Sequence, residues 1–389
     1  MNPVTTPEKQ IQSSTRAQNP LLELQQQGQS VWLDYIRRNI ITNGELQHLI
    51  DHDGLRGITS NPSIFEKAIA GSGDYSDFLA QLRAQGLSTG DIYERIAIRD
   101  IQDSADLLLP VYKSTNRSDG FVSLEVSPTL ARDTQGTIEE ARRLWKAVGR
   151  PNIMIKVPGT DEGAPAVRQL TSEGLNINIT LLFAQEAYIK VAEAYIEGLE
   201  AARKAGIDIT GISSVASFFV SRIDTLVDST IDERLKTADP SQRTLLESLR
   251  GKVAIANAKQ AYRWYQSMIT GQRWKALAAQ GAHVQRLLWA STSTKNPKYR
   301  DVLYIEELIG PDTVNTIPPA TMDAFREHGL VRRTLDAGLD AADKIMSDLG
   351  RAGISMQQVT GKLLDDAIKL FADAFAQLLA AVEQKKRTP

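Results

Sequence analysis

The chain has 389 residues, of which 42% are hydrophobic and 24% are charged, a composition typical of a globular protein. The 45 Lys and Arg residues nearly balance the 47 Asp and Glu residues, so the formal net charge is −2 and we expect no basic surface for nucleic acid. The chain contains no cysteine, which excludes disulfides, thiolate nucleophiles and zinc held by Cys.

The amino-terminal segment lacks the apolar stretch that directs secretion, and no run of 18 apolar residues occurs anywhere. We therefore expect a cytoplasmic protein that does not enter a membrane. Residues 1–19 are rich in Pro, Gln, Ser and Thr and predict a flexible tail, as does the terminal segment QKKRTP.

Eight short apolar runs alternate with longer stretches of helical periodicity, which is the pattern of parallel strands joined by crossover helices. In chain order the runs are VWLDYI from Val31, LRGITS from Leu55, FVSLEV from Phe121, NIMIKV from Asn152, NINITLLF from Asn176, GISSVASFFV from Gly211, RLLWAS from Arg286 and DTVNTI from Asp312. Eight such strands predict a closed (β/α)8 TIM barrel with additional helices.

Apolar residues at i, i+3 and i+4 predict the connecting helices. They are LLELQQQGQ, DIYERIAIRDIQDSADLL, TIEEARRLWKAVG, AQEAYIKVAEAYIEGLEAARKAG and TLLESLRGKVAIANAKQAYRWYQSM. The long additions after the second strand and between the sixth and seventh indicate helical insertions. The stretch TGKLLDDAIKLFADAFAQLLAAVEQ predicts one amphipathic helix over the barrel. No linker or internal repeat divides the chain, so we expect residues 20–385 to form a single barrel domain.

Polar side chains end almost every predicted strand, and in parallel barrels function collects at these carboxyl ends. Charged side chains are rarely buried without a partner or a task, because removing a charge from water costs several kcal/mol. The strand-end residues are Asp34, Thr59 with Asn61, Glu125, Lys156, Asn178 with Thr180, Ser217 and Ser291.

Lys156 lies in the otherwise apolar run NIMIKVP, where an ammonium group would be poorly hydrated. Loss of hydration favours the neutral amine, which can attack a ketone or an aldehyde to form a Schiff base. Two structural alternatives stay open: the lysine extends to solvent, or it pairs with Glu125.

Glu125 and Asp34 end the third and first predicted strands, so both carboxylates should face the barrel mouth. Schiff-base chemistry needs an acid for the departing carbinolamine oxygen and a base for a hydroxyl proton. Two carboxylates in different surroundings can divide these tasks. The alternative is a structural ring of ion pairs around Lys156.

Amide and hydroxyl groups at the other strand ends suit the hydroxyls of a polyol substrate. These groups belong to Asn61, Asn178, Thr180 and Ser217. Pro62 follows Asn61, so spacing alone favours a turn or a helix start at that position.

Arg222 lies where the sixth strand leads into a helix, and the segment STSTK, residues 291–295, follows the seventh strand. Late loops of barrels often bind phosphate, so we expect a sugar phosphate here. The structural alternatives are a salt bridge of Arg222 with Asp224 or Asp228, and plain solvent exposure of Lys295.

Other functional signals in the sequence are weak. The spacing of His48 and His52 would suit a metal, but the segment is polar and lacks an HExxH motif, so we expect a solvated helix face and no metal site. No phosphate loop, no strand–GxGxxG–helix unit and no GxSxG elbow occurs, which argues against nucleotide binding and serine hydrolysis.

Five strand-end segments resemble those of the transaldolase family, in the same order. They are GITSNPSIFE (57–66), LEVSPT (124–129), NIMIKVPGTD (152–161), GLNINITLLFA (174–184) and SFFVSRID (217–224). The longer form TSNPSIFEKAI, together with the extended helical insertions, is similar to the longer bacterial transaldolases. The resemblance covers most of the region between residues 30 and 320.

The resemblance implies a (β/α)8 barrel whose fourth strand carries a Schiff-base lysine, which is Lys156 here. Glu125 and Thr180 would hold the water that moves protons as the imine forms and hydrolyses. Asp34 would take the proton from the C4 hydroxyl as the C3–C4 bond breaks, and Thr59 would support the carboxylates.

The same resemblance implies the binding groups. The dihydroxyacetone unit would be held by Asn61, Asn178 and Ser217, and the phosphate by Arg222 and Ser291. One departure follows the seventh strand, where shorter members carry an arginine just past the matching serine. Lys295 would have to substitute for it as a point charge, without the bidentate fork of arginine.

The implied activity is a cofactor-independent transfer in the non-oxidative pentose phosphate pathway. Sedoheptulose 7-phosphate would give a dihydroxyacetone unit to glyceraldehyde 3-phosphate, yielding erythrose 4-phosphate and fructose 6-phosphate. Two alternatives remain, a fructose 6-phosphate aldolase that releases dihydroxyacetone to water and a non-catalytic barrel that binds sugar phosphates. The expected partners are sugar phosphates, not nucleic acid or membrane, and both a monomer and a homodimer stay open.

Overall fold

A computed structural model of the protein describes residues 19–387. Eight parallel strands form a closed barrel in which each strand pairs with the next and the last pairs with the first. Each predicted apolar run overlaps one of these strands, so the predicted (β/α)8 barrel is confirmed, although the first strand begins two residues before its run and the fourth ends one residue after its run. The strands are β1 Gln29–Leu33, β2 Gly57–Ile58, β3 Phe121–Glu125, β4 Ile153–Pro158, β5 Ile177–Leu182, β6 Ser214–Phe219, β7 Arg286–Ala290 and β8 Thr313–Ile317.

Helices surround the barrel, and two groups of them form the predicted insertions, α4–α6 after β2 and α10–α13 between β6 and β7. The helices are α1 Pro20–Gln26, α2 Arg38–Thr42, α3 Glu45–His52, α4 Pro62–Ala70, α5 Ser76–Arg83, α6 Thr89–Ser114, α7 Thr134–Val148, α8 Gly163–Ser172, α9 Gln185–Lys204, α10 Ser221–Leu235, α11 Pro240–Leu249, α12 Val253–Thr270, α13 Gln272–Ala278, α14 Leu303–Glu306, α15 Pro319–His328, α16 Leu339–Arg351 and α17 Met356–Arg387.

The strands are buried on both faces, which explains their nearly continuous apolar runs. Side chains fill the barrel interior on one face, and the helices cover the other face. The polar residues at the carboxyl ends of the strands therefore lie at one end of a packed core, which is the barrel mouth.

The segment that we predicted as one helix from Thr244 to Met268 is two helices, α11 and α12. Gly251 separates them with a φ of +65°, a left-handed conformation that a regular helix does not contain. Periodicity alone missed this break, because apolar spacing continues on both sides of it.

The carboxy-terminal amphipathic helix is confirmed as α17. It packs against α4, α6 and α10, and since α4 and α10 start at the carboxyl ends of β2 and β6, α17 crosses the mouth side of the barrel. Our prediction of a tail from residue 384 is wrong for residues 384–387, which continue the helix. Lys386 Nζ donates to the Leu87 carbonyl at 2.9 Å.

The remaining parts of the predicted tails, residues 1–18 and 388–389, lie outside the described residues. Asn19 already belongs to the fold, because its Oδ1 accepts from Leu21 N at 3.0 Å and caps α1. Within residues 19–387, no helix has both the length and the apolar character that crossing a membrane requires.

The contact between Gly57 and Trp32 provides a test of barrel packing. A Cβ at Gly57 would lie 2.5 Å from the indole of Trp32, which is buried and held by its bond to Asp119 Oδ1 at 3.0 Å. We expect Gly57→Ala to lower the free energy of unfolding by about 1–3 kcal/mol through overpacking. Chemical denaturation measures the change.

Gly350→Ala is the matched control, because a Cβ there meets no atom within 4 Å and Gly350 lies inside α16. It should be neutral or stabilise the protein by up to ~1 kcal/mol. Equal stability of Gly57→Ala and the wild type would contradict the packing described for β1 and β2.

Candidate active site

Glu125, Lys156 and Asn178 lie side by side at the mouth, because strand register pairs Glu125 with Lys156 and Lys156 with Asn178. Lys156 is only 5% exposed, and its Nζ lies 3.0 Å from Glu125 Oε2. The same Nζ donates to the Ser60 carbonyl at 2.9 Å. The lysine therefore does not extend to solvent, and its amine is fixed between a carboxylate and a backbone oxygen.

Burial makes Glu125 an unusually basic carboxylate. Its pKa is raised above the ordinary value by desolvation, against the lowering effect of the Lys156 charge and hydrogen bond. The negative charge of Asp34 raises it further. Glu125 is thus placed to accept a proton from its lysine partner.

Asp34 follows β1 and lies in the same electrostatic environment. Thr59 Oγ1 donates to Asp34 Oδ1 at 2.8 Å. Desolvation raises the pKa of Asp34, while Lys156, the Thr59 hydrogen bond, Lys295 and Arg222 lower it. The two carboxylates predicted to share the mouth therefore do so, and Thr59 supports one of them.

Asn178 is oriented by two serines. Its Nδ2 donates to Ser123 Oγ at 3.0 Å, and its Oδ1 accepts from Ser217 Oγ at 2.7 Å. These two hydrogen bonds fix which amide atom donates and which accepts, and they therefore fix the orientation of the Asn178 side chain at the mouth.

Three supporting residues escaped the sequence analysis, namely Ser60, Ser123 and Thr316. Thr316 on β8 shares a 2.7 Å hydrogen bond with Thr59. Ser123 stands two positions before Glu125, on the same strand face, so the strand's alternation was a signal that could have found it. Ser60 acts through its backbone carbonyl, which no residue pattern reveals.

Thr180 lies at a β-bulge, where Ile179 pairs with Ala216 but Leu182 pairs with Phe218. Leu181 occupies the extra position with a φ of +62°, in the left-handed region. Thr180 Oγ1 is buried and has no hydrogen-bond partner among residues 19–387. An unpaired buried hydroxyl is costly, and it suits a group that binds substrate or water.

Asn61 is the N-cap of α4, since its Oδ1 accepts from Ile64 N at 3.0 Å. The sequence-based preference for a helix start is thus confirmed, and the amide nitrogen is the group left for a ligand. Asn61, Ser60 and Glu125 line a cavity of about 140 Å³. Phe375 of α17 forms part of its wall, so the carboxy-terminal helix bounds the region beside Glu125.

Ser291 contacts Ser221, the neighbour of Arg222, where β6 and β7 end. Ser221 N donates to the Ser291 carbonyl at 3.1 Å, and the two serine hydroxyls lie 3.0 Å apart. Arg222 stacks over Phe219, with 5.4 Å from Cζ to the ring centre. Within residues 19–387 it forms no ion pair with Asp224 or with any other acid within 4 Å, so the structural alternative is wrong.

Lys295 belongs to the same charge cluster. Desolvation and Arg222 lower its pKa, and Asp34 raises it. Lys295 is nevertheless exposed, as the structural alternative predicts. Its Nζ donates to Ser293 Oγ at 2.6 Å, and it has no carboxylate partner within 4 Å in the described part of the chain. Lys67 of α4, which sequence reasoning missed, also lowers the pKa of Lys295 and adds a further cation near this end.

The four histidines contribute nothing to this site. His48 and His52 lie on the exposed side of α3, as predicted, with ring centres 4.5 Å apart. In the part of the chain that the structure describes, no three His, Asp or Glu side chains come together as metal ligands would.

Comparison with known proteins agrees with this geometry. The family model described as transaldolase/fructose-6-phosphate aldolase matches residues 31–382. The chain belongs to this family. Its members act on sugar phosphates, so we take the substrates of this protein to be sugar phosphates.

Relatives named transaldolase match nearly the whole chain. One from Trichodesmium erythraeum is 51% identical over 95% of this chain and 99% of its own length. A relative from Nostoc sp., named transaldolase 2, is 50% identical over 94% of this chain and 97% of its own. One from Thiobacillus denitrificans is 45% identical over 91% and 97%. These names support transaldolase activity, which is a transferase reaction.

The Thr59–Asp34 hydrogen bond provides a test of the site's electrostatics. The bond stabilises the ionised carboxylate, so Thr59→Val should raise the pKa of Asp34 further above its already raised value. Carboxyl carbon chemical shifts, followed by NMR against pH, measure this pKa. Thr316→Val, which leaves Asp34 with its donor, is the control. An unchanged or lowered pKa in Thr59→Val would contradict the geometry.

Proposed function

We propose that this protein is a transaldolase of the non-oxidative pentose phosphate pathway that works through a Schiff base at Lys156. It takes a dihydroxyacetone unit from sedoheptulose 7-phosphate and passes it to glyceraldehyde 3-phosphate. The products are erythrose 4-phosphate and fructose 6-phosphate. The observation that carries the proposal is the buried amine of Lys156, 3.0 Å from the carboxylate of Glu125.

The first step is proton transfer within this pair. Glu125 Oε2 lies 3.0 Å from Lys156 Nζ, so the carboxylate is the group placed to take the proton that the ammonium group loses before Nζ attacks the C2 carbonyl of the ketose. Glu125 then protonates the carbinolamine oxygen through a water that the unpaired Thr180 hydroxyl helps to hold. That oxygen leaves as water, and an iminium ion remains.

Carbon–carbon cleavage follows at Asp34. This carboxylate accepts the C4 hydroxyl proton, C4 becomes an aldehyde carbon, and the C3–C4 bonding electrons move to the iminium nitrogen. Erythrose 4-phosphate departs, and the three-carbon enamine stays bonded to Lys156. The iminium nitrogen accepts the electrons itself, so the chemistry needs neither thiamine nor a metal ion.

The acceptor then reverses the cleavage. The enamine carbon attacks the aldehyde of glyceraldehyde 3-phosphate, the new alkoxide takes its proton from Asp34, and water hydrolyses the iminium ion to release fructose 6-phosphate. Because the fragment is retained covalently between the two half-reactions, the kinetics should be ping-pong.

We assign the two ends of the substrate to different residues of the barrel mouth. We assign the hydroxyls of the dihydroxyacetone unit to Asn178, Ser217 and the amide nitrogen of Asn61. We assign the phosphate to Arg222, Ser291 and Lys295, since two cations and a hydroxyl lie at that end.

Borohydride reduction tests the Schiff base. Incubation with fructose 6-phosphate and borohydride should attach a reduced three-carbon unit to Lys156, and peptide mass spectrometry identifies the labelled residue. Lys156→Ala should remain folded and lose activity by on the order of 10³-fold or more.

Lys259 is a matched control, because it is also buried, at 8% exposure, but lies on α12 and bonds to the Ala337 carbonyl. Lys259→Ala should be labelled at Lys156 like the wild type. Labelling at Lys259, or normal turnover by folded Lys156→Ala, would end the assignment of Lys156. A wild type that binds fructose 6-phosphate without any label would indicate the non-catalytic barrel.

The fate of the three-carbon unit separates a transferase from an aldolase. With fructose 6-phosphate alone, we expect free dihydroxyacetone to form far more slowly than sedoheptulose 7-phosphate forms once erythrose 4-phosphate is added. An enzymatic assay of both products measures the two rates. Rapid release of dihydroxyacetone without an acceptor would instead identify a fructose 6-phosphate aldolase.

A further inference from the structure

Two carboxylates behind the phosphate end remain outside the mechanism. Asp224 and Asp228 lie one turn apart on α10, and both are buried. Neither forms an ion pair within 4 Å with a cation among residues 19–387. Buried carboxylates without a cation must be satisfied by other donors, and the donors found here connect three separate elements.

Two tyrosines supply the first set of donors. Tyr304 OH donates to Asp224 Oδ2 at 3.0 Å, and Tyr299 OH donates to Asp228 Oδ2 at 2.6 Å. Tyr299 lies in the long loop 291–302 that follows β7, and Tyr304 lies in α14, which follows that loop. The loop is thus anchored to α10 at two points.

The second set of donors comes from the start of α12. Ala254 N donates to Asp224 Oδ1 at 2.8 Å, and Gly251 N donates to Asp228 Oδ1 at 3.3 Å. The ring of Tyr299 covers Gly251 so closely that a Cβ there would lie 2.8 Å from its Cζ. The break between α11 and α12 therefore has a structural reason, since it brings backbone amides to the two carboxylates.

The elements that the two tyrosine–aspartate bonds join, α10 and the loop after β7, also carry the residues assigned to the phosphate. Arg222 stands two residues before Asp224 on α10, on the mouth side, where it interacts with Asp34. Ser291 and Lys295 lie on the anchored loop. Within that loop, the hydroxyl of Thr294 hydrogen-bonds to the carbonyls of residues 300 and 301, at 3.0 and 3.1 Å. Loss of either tyrosine–aspartate hydrogen bond would let the loop move and change the distance between Arg222 and Lys295.

We propose that Tyr299 and Tyr304 are positioning residues for the substrate phosphate, because their bonds to Asp228 and Asp224 hold the Ser291–Lys295 loop against Arg222. We call these two tyrosine–aspartate pairs the clamp. Lysine and serine are monodentate phosphate ligands without the fixed fork of arginine, so a rigid loop is what limits their displacement from the phosphate. The inference rests on the proposed function, since the phosphate belongs to the sugar substrates.

The double variant Tyr299→Phe/Tyr304→Phe tests the clamp, because it removes both hydroxyls and keeps both rings. We expect KM for fructose 6-phosphate to rise about tenfold with kcat changed by less than about twofold, which is the signature of lost binding rather than lost chemistry. Inhibition by inorganic phosphate should weaken by the same factor. A role in stability alone would move neither constant in the folded protein.

Tyr195→Phe is the matched control, because this buried hydroxyl donates to the His283 carbonyl, before β7 at the opposite end of the barrel. It should leave KM and phosphate inhibition unchanged. A folded double variant with unchanged KM and phosphate inhibition would overturn the proposal, as would a fall in kcat alone. If the double variant does not fold, Tyr299→Phe, whose residue is partly exposed, gives the same comparison on one pair.

The experiments distinguish failure of the proposed function from failure of the clamp. A wild type without turnover would remove the transaldolase assignment, and calorimetric titration of inorganic phosphate would still test the clamp. Weaker phosphate binding by the double variant than by the wild type supports the clamp, and equal binding overturns it.

Discussion

The proposed chemistry depends on a lysine and a glutamate that face each other across neighbouring strands at the mouth of a closed barrel. Register places Lys156 beside Glu125, and burial on both sides prevents water from separating the pair. A buried ion pair is rarely more stabilising than apolar residues of the same size, so its presence is weak evidence for stability and fits a functional role. The hydrogen bond from the same amine to the Ser60 carbonyl offsets part of the free-energy cost of burying the charge.

Charge is distributed across the mouth in a way that suits a phosphorylated ketose. Carboxylates stand near the amine, where protons must move, and cations stand towards β6 and β7, where the phosphate would lie. Asp34 connects the two ends, because Lys156, Lys295 and Arg222 all lower its pKa against the effect of burial. The same arrangement keeps Arg222 available, since its acidic neighbours on α10 are occupied by tyrosines and backbone amides. The groups proposed for catalysis and those proposed for phosphate binding thus interact electrostatically through Asp34.

Much of the fold was predictable, because strands buried on both faces produce apolar runs that periodicity detects, and polar residues at their ends are conspicuous. What escaped prediction depends on long-range contacts. The left-handed Gly251 breaks a helix at a point where Tyr299 and Asp228 contact it from other elements. Ser123 and Thr316 look like ordinary strand residues until the barrel closes and places them beside Asn178 and Thr59. The helical residues 384–387 look like a polar tail until they dock on the first insertion.

A crystal structure of the protein trapped with fructose 6-phosphate is the most direct test of the central claim. We expect continuous density from Nζ of Lys156 to C2 of the sugar, with the phosphate between Arg222 and Ser291. A sugar bound in the mouth without a bond to this nitrogen, with its phosphate turned away from Arg222, would contradict the claim.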